Sequence, residues 1–159
     1  MDQYIFPLFI LLTGILFGIT LLILNNIQPS NTWKKTTKAK LLDLNSRFKS
    51  NDVNALKIAL MEADKLLDYV LTQYGIPGDT LGDRLKNAKE SIVGKEIKKG
   101  QKVSNSEWNK RKRNKDLYNK IWEAHKLRNK LAHELNFEVK NKDLKTSYTN
   151  LKRGIKHFL

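Results

Sequence analysis

Residues 52–75, DVNALKIALMEADKLLDYVLTQYG, carry the strongest helical pattern in the chain. Asp52 is placed to cap a first helical turn, and Gly75 is placed to end the last one. Between them, apolar side chains recur at alternating spacings of three and four residues, which puts them on one face of an α-helix. These positions are Val53, Leu56, Leu60, Ala63, Leu67, Val70 and Tyr74. The stretch therefore predicts an amphipathic helix that buries one stripe.

Four further stretches show the same periodicity, and no strand-like alternation persists anywhere in the chain. Capping-box sequences at 80–83 and 104–107 precede the second and third of these stretches. The four stripes are Trp33, Thr37, Leu41, Leu44 and Phe48; Leu81, Leu85, Ala88 and Ile92; Trp108, Leu117, Ile121, Ala124, Leu131 and Leu135; and Leu144, Tyr148, Leu151, Ile155 and Phe158. The predicted arrangement is a linker helix over 29–50 followed by a four-helix bundle over 51–159.

An apolar segment precedes these helices. Residues 4–24 hold no charged side chain, and 21 residues of helix rise about 30 Å, the thickness of a bilayer core. A cleaved signal peptide is the alternative, but no Lys or Arg precedes the segment and no small-x-small cleavage site follows it. The sequence therefore predicts an uncleaved, single transmembrane anchor over 1–28. The fold class predicted for the chain is all-α, with this N-terminal transmembrane helix ahead of the linker and bundle.

Charges beside the segment predict its orientation. Lys34, Lys35 and Lys38 follow it, and the positive-inside rule places such residues in the cytoplasm. We therefore expect a protein of the cytoplasmic membrane with its N-terminus outside. Gly14 and Gly18 form a G-x-x-x-G pair that would allow two anchors to approach closely, although glycine is common in such helices.

The net charge of the chain indicates which classes of molecule it would bind. The formal charge is +14, and 15 acidic residues against 30 basic ones after Asn25 give +15 for that part of the chain. Such a domain favours polyanions, either RNA or anionic lipid headgroups. A lysine bias that merely keeps the chain in solution is the alternative explanation. No cysteine is present, so disulfides and cysteine nucleophiles are excluded.

Polar residues near the end of the third bundle helix are the candidates for chemistry. Arg128 falls within the apolar arc of that helix, where a guanidinium needs an acidic partner or an interface. His125, Asn129 and His133 recur at intervals of four and form a neighbouring row. Together these four side chains predict a compact polar cluster at the edge of the buried stripe.

The stretch Arg128-Asn129-Lys130-Leu131-Ala132-His133 resembles the R-x4-H signature of the HEPN superfamily. The preceding residues 122–125 and the following Glu134 are similar to those of uncharacterised, membrane-anchored bacterial relatives, as are the stretches 62–68 and 78–85. The resemblance covers 51–159. It implies a HEPN-like four- or five-helix bundle that often forms a homodimer, with two such motifs at the subunit interface.

The resemblance also implies a metal-independent endoribonuclease. His133 would act on the RNA 2′-hydroxyl as general base, and Arg128 would stabilise charge on the phosphoryl oxygens. Asn129 would hold the imidazole or the substrate, with His125 and Glu134 as supporting polar residues. The products would be a 2′,3′-cyclic phosphate and a 5′-hydroxyl.

A structural explanation of the same residues is the alternative. Arg128 could pair across the bundle with an acidic residue of the first bundle helix, and His133 could cap its own helix. The candidate partners are Glu62, Asp64 and Asp68. The chain also departs from the toxin-type HEPN variant, because Glu134 stands where that variant has tyrosine. In this alternative the protein is a non-catalytic dimerisation or interaction module.

A basic run opens the same long helix and consists of Lys110, Arg111, Lys112, Arg113 and Lys115. It fits contacts with RNA phosphates, aided by stacking on Trp108 and Tyr118, but it also fits a solvated helix start or lipid headgroups. No metal site is expected, since His125 and His133 are two turns apart and no third ligand completes a shell. No nucleotide-binding motif occurs, so no cofactor is expected.

Overall fold

The computed structural model describes residues 13–17, 19–20, 32–49, 52–98 and 100–159. All regular structure in these ranges is helical, so the all-α prediction is confirmed for them. Besides the helical residues 13–17 and 19–20, the helices are α1 (Thr32–Phe48), α2 (Val53–Gln73), α3 (Leu81–Asn87), α4 (Lys89–Val93), α5 (Asn105–His133) and α6 (Asn141–His157). The chain divides into two compact units, Met1–Thr32 and Trp33–Leu159. The candidate functional residues lie in the second unit.

The structure does not support the transmembrane helix that the sequence predicts for the N-terminal segment. None of the described helices is long and apolar enough to cross a membrane. Within the predicted span, residues 13–17 and 19–20 are described, and all of them are helical. The other residues of that span, including Gly18, lie outside the described residues. The pairing of Gly14 with Gly18 and the predicted orientation are therefore not tested.

Helix α6 lies against both α2 and α5, and these three helices form the centre of the bundle. The short helices α3 and α4 cover one side, α3 against α2 and α4 against α5. Buried apolar side chains from all six helices form one core. Fully buried members include Leu44, Leu56, Leu60, Leu67, Leu71, Leu85, Ile92, Ile121, Leu144, Tyr148, Leu151 and Ile155.

Helix α1, which the sequence assigns to a linker, packs on this core. Leu41 and Leu44 are buried, and Phe48 stacks on Tyr148 of α6 with ring centroids 4.4 Å apart. The Tyr148 hydroxyl donates to Asn45 Oδ1 at 3.0 Å, and Lys152 Nζ donates to the same oxygen at 2.7 Å. Apolar burial and this polar cluster together attach α1 to the bundle.

Side-chain caps fix where the helices begin. Asp52, Thr80 and Ser104 each accept a hydrogen bond from the backbone N–H three residues later, which satisfies an otherwise unpaired donor of the first turn. The periodicity over 81–92 predicts one helix, but the structure has two: α3 ends at Asn87, α4 begins at Lys89, and Ala88 between them caps both. Both caps at 80–83 and 104–107 are formed as predicted.

The end of α5 differs from the sequence prediction at one position. The apolar pattern extends the stripe to Leu135, but α5 ends at His133 and Leu135 is 96% exposed. Glu134 has φ −96° and ψ 118°, an extended conformation that ends the helix before Leu135, and a turn with Asn136 at φ 62° follows. The end of the helix therefore removes Leu135 from the helical face on which its spacing would place it.

The packing of α1 predicts a contrast between two leucines of that helix. Leu44 is 0% exposed and Leu42 is 71% exposed. We expect Leu44→Ala to lower the free energy of unfolding by about 2–5 kcal/mol, because it leaves a cavity in the core. Leu42→Ala should change it by less than about 0.5 kcal/mol. Urea unfolding of both variants measures the difference, and equal effects would contradict the packing of α1 on the bundle.

The buried tyrosine of α6 predicts a loss of stability at high pH. Burial raises the pKa of Tyr148 to about 12, whereas tyrosine in an unfolded chain titrates near 10. The folded state therefore keeps this proton longer, and the resulting stability is complete below about pH 10 and is lost as the pH rises towards 12. Unfolding at about pH 9 and about pH 11 measures the loss. Tyr148→Phe should reduce this loss, whereas Tyr69→Phe, a change on an exposed ring, should leave it unchanged.

Candidate functional site

A buried carboxylate on α2 is the starting point of the candidate site. Asp64 is only 2% exposed and lies between Leu60 and Leu67 on the apolar face of its helix. Placing a charged carboxylate in such surroundings costs several kcal/mol unless partners compensate it. The structure supplies those partners from α5.

His125 and Arg128 of α5 each approach a different oxygen of Asp64. His125 Nδ1 lies 2.9 Å from Asp64 Oδ1, and Arg128 Nε lies 3.1 Å from Asp64 Oδ2. A carboxylate only accepts hydrogen bonds, so Nδ1 of the imidazole carries the proton and donates. The Arg128 Nε–H is not aligned for a hydrogen bond, so this second contact is an ion pair. One carboxylate thus orients both side chains.

Asn129 closes these contacts into a ring. Its Oδ1 accepts from Arg128 Nη1 at 2.9 Å, and its Nδ2 lies 3.1 Å from His125 Nε2. With the proton on Nδ1, Nε2 of a neutral imidazole accepts the hydrogen bond that Nδ2 donates. We call Asp64, His125, Arg128 and Asn129 the Asp64 cluster. Three hydrogen bonds and the ion pair between Arg128 and Asp64 join the four side chains into one closed circuit.

The Asp64 cluster forms one wall of an open depression of about 500 Å3. Thr80, the N-cap of α3, and Gly82 in its first turn also line the depression. A Cβ atom at Gly82 would lie 3.9 Å from both His125 Nε2 and Trp122 Cη2. Glycine at this position therefore leaves space beside the edge of the imidazole that carries the acceptor nitrogen.

A second ion pair borders the depression. Arg84 Nη1 of α3 donates to Asp68 Oδ1 of α2 at 2.7 Å. Asp68 lies one turn after Asp64 on α2. Asp68 pairs with Arg84 of α3, and Asp64 pairs with Arg128 of α5. These two pairs connect the depression's three helices, α2, α3 and α5.

The structure brings together only some of the residues that the sequence singled out. Arg128, Asn129 and His125 lie in the Asp64 cluster, whereas His133 is exposed in the last turn of α5 and Glu134 caps that helix. Five residues along a helix turn through about 140°, so the side chains at 128 and 133 leave α5 in different directions. Within one chain, Arg128 therefore has His125 rather than His133 as its imidazole neighbour.

The three acidic residues considered as partners for Arg128 lie in different surroundings. Asp64 contacts Arg128 directly. Asp68 binds Arg84, and Glu62 lies 3.4 Å from Lys40 of α1 and 3.8 Å from Lys65. The joint role of Asp64 in holding both Arg128 and His125 was missed in the sequence. The available signal was an acidic residue four positions after Leu60 and three before Leu67, which is an inward-facing position.

The predicted basic run lies on the first half of α5. Lys110, Lys112, Arg113 and Lys115 are exposed, while Arg111 is partly buried and donates to the Gly94 carbonyl oxygen at 3.5 Å. Trp108, one turn earlier, is 59% exposed. Arg111, Lys112 and Lys115 therefore form a basic surface beside an accessible aromatic ring, while Lys110 and Arg113 project from other sides of the helix. This surface is separate from the Asp64 cluster along the same helix.

Comparison of the chain with models of protein families, with curated proteins and with solved structures gives no match. Within the described ranges, no three histidine, aspartate or glutamate side chains are grouped so that they could hold a metal ion. What the cluster can offer a ligand is a fixed imidazole and a fixed guanidinium. An imidazole can accept a proton near neutral pH, and a guanidinium binds phosphate oxygens in pairs.

The burial of Asp64 predicts a large cost for removing its charge. Asp64→Asn would leave the Arg128 guanidinium without its counter-ion, and we expect the free energy of unfolding to fall by about 3–5 kcal/mol. Asp116→Asn is the control, because Asp116 pairs with Lys120 on the exposed side of α5 and such pairs contribute less than about 1 kcal/mol. Denaturant unfolding of both variants gives the comparison. A cost below about 1 kcal/mol at Asp64 would contradict its role as the anchor of the cluster.

Proposed function

We propose that the unit 33–159 binds RNA and cleaves it without a metal ion, at the Asp64 cluster. One observation carries this proposal: His125 and Arg128 are held by a single buried carboxylate at the wall of an open depression. The chain is also strongly basic, with a formal charge of +14, which favours a polyanionic substrate. The resemblance of 128–133 to the HEPN signature supports the same class of reaction.

In the proposed reaction, the substrate enters the space beside Gly82 and displaces Asn129 from His125 Nε2. That nitrogen accepts the proton of an RNA 2′-hydroxyl, and the oxygen attacks the neighbouring phosphorus. The bond from phosphorus to the 5′ oxygen breaks, and the proton passes from the imidazolium to that oxygen. The products are a 2′,3′-cyclic phosphate and a 5′-hydroxyl, so no water or cofactor is consumed.

Arg128 and Asp64 have distinct roles in this scheme. The Arg128 guanidinium stabilises the negative charge that accumulates on the non-bridging phosphoryl oxygens. Asp64 touches neither RNA nor the reacting atoms, and it positions the imidazole through Nδ1 and keeps its tautomer fixed. This arrangement differs from the one that the R-x4-H resemblance implies, in which His133 is the base. A homodimer could supply His133 from a second copy, since that side chain is exposed.

A non-catalytic interaction module is the second candidate, and the closure of the Asp64 cluster favours it. All four side chains find partners within the chain, so the cluster can serve solely to fasten α5 to α2. In that case the cluster contributes to folding, and the protein acts through its surfaces, including a homodimer contact.

Cleavage of a labelled single-stranded RNA by the full chain, with EDTA present, separates the two candidates. We expect cyclic-phosphate ends from the parent and a loss of about 100-fold or more in rate for His125→Asn. Asparagine can still donate to Asp64 from a position close to that of Nδ1, but it offers no base. DNA of the same sequence should not be cut, because it lacks the 2′-hydroxyl.

His133→Asn is the matched control variant in the same experiment. It should cut at the parent rate if His125 is the base, and it should be inactive if the R-x4-H arrangement operates between two copies. Denaturation midpoints for each variant show whether the fold is retained. Absence of cleavage by a folded parent would reject the catalytic proposal and favour the interaction module.

A further inference from the structure

One face of α5 joins the basic surface to the Asp64 cluster. Arg111, Lys115, Tyr118, Trp122, His125 and Asn129 follow one another at spacings of four, three, four, three and four residues. Such spacing keeps all six side chains within about 40° of one line along the helix. From Arg111 to Asn129 the line is about 27 Å long. On this face, Tyr118 and Trp122 are partly buried against the core and His125 is 8% exposed, so the more accessible end is the basic one.

A groove lies at the basic end of this face, between α5 and the segment of α4 and the loop after it. Its lining includes Val93 and Ile97 on one side and Trp108, Arg111, Lys112 and Lys115 on the other. The volume is about 490 Å3. An adjoining depression of about 650 Å3 shares Val93, Glu96, Arg111 and Lys115 and adds Lys86, Lys89 and Glu90. We call the first of these the α4–α5 groove.

The lining of the α4–α5 groove combines two kinds of chemistry. Val93, Ile97 and the exposed ring of Trp108 offer apolar surface, and Arg111, Lys112 and Lys115 add positive charge. Glu96 is the acidic residue of the lining, so positive charge predominates. A flat aromatic surface beside several cations suits a nucleobase whose phosphates lie at the cations.

We infer that the α4–α5 groove binds an unpaired nucleotide of single-stranded RNA, whose chain then runs along α5 to the Asp64 cluster. Trp108 stacks on the base, and Lys112 and Lys115 bind the flanking phosphates. The strand must be single, because a paired base in a duplex does not offer its face to an indole. This inference rests on the proposed function, since it assigns the substrate class and the binding position for that site. At 3.4 Å per stacked nucleotide, 27 Å corresponds to about eight nucleotides.

Binding of a fluorescent 2′-O-methyl RNA of twelve nucleotides by the full chain tests the groove. This oligonucleotide cannot be cleaved by attack of its 2′ oxygen, so binding is measured whether or not the protein is a nuclease. We expect Trp108→Ala to raise Kd by about 5- to 150-fold. Tyr69→Ala, which removes an exposed ring on α2 away from the groove, should leave Kd unchanged.

Salt dependence tests the phosphate contacts separately. Lys115→Gln should reduce the magnitude of the slope of log K against log salt by about 0.7. Arg113→Gln is its control, because Arg113 is exposed on nearly the opposite side of α5, about 200° from Arg111. Equal effects of the two changes would overturn the inference and indicate diffuse attraction to a basic surface.

The outcomes separate this inference from the proposed cleavage. Binding that depends on Trp108 and Lys115, in a protein that cuts no RNA, would support the groove and reject the nuclease. If the protein cleaves RNA but its affinity for RNA does not change on mutation of Trp108 or Lys115, the proposed nuclease activity is supported and RNA binding in the α4–α5 groove is overturned. Equal competition from duplex RNA or from polyglutamate would also overturn the groove as a site for single-stranded RNA.

Discussion

The burial of the Asp64 carboxylate is the constraint on which the candidate site depends. A charge inside the apolar face of α2 is tolerable only when opposite charge and a hydrogen-bond donor reach it. Arg128 and His125 of α5 meet that requirement, with Nε and Nδ1 at 3.1 Å and 2.9 Å. The same contacts set the rotation of α5 about its axis relative to α2. Polar chemistry at this point therefore helps to determine which faces of the two helices meet.

The helices of the bundle were largely predictable from the sequence because their periodicity is local. The stripe of α2 and the caps at Asp52, Thr80 and Ser104 depend on residues within one or two turns of each other. The spacing of apolar residues could not predict where α5 ends. Leu135 fits the stripe of α5 by spacing, yet the chain leaves the helix two residues earlier. The N-terminal segment shows a related limit, since hydropathy alone predicted a membrane span that no described helix provides.

The candidate site was predictable in part. Arg128 in an apolar arc implied a buried acidic partner, but three acidic residues of α2 were compatible with it in sequence. Asp64 reaches Arg128 only in one rotation of α2 against α5, and packing on α6 and the contacts of Asp64 itself maintain that rotation together. The choice between His125 and His133 has the same origin. Both histidines fall in one row by spacing, but His133 is exposed, and only His125 lines the depression with Thr80 and Gly82 at the start of α3.

If the Asp64 cluster binds an anion as proposed, its closed circuit would set that binding against the stability of the fold. An anion that draws the Arg128 guanidinium away from Asp64 must weaken the link between α2 and α5 that the same contact maintains. Separating Arg128 from Asp64 costs free energy, so the observed affinity for the anion is lower than that of a guanidinium with no carboxylate partner. By reciprocity, any change that loosens α2 from α5 raises the affinity for the anion while lowering the stability of the fold.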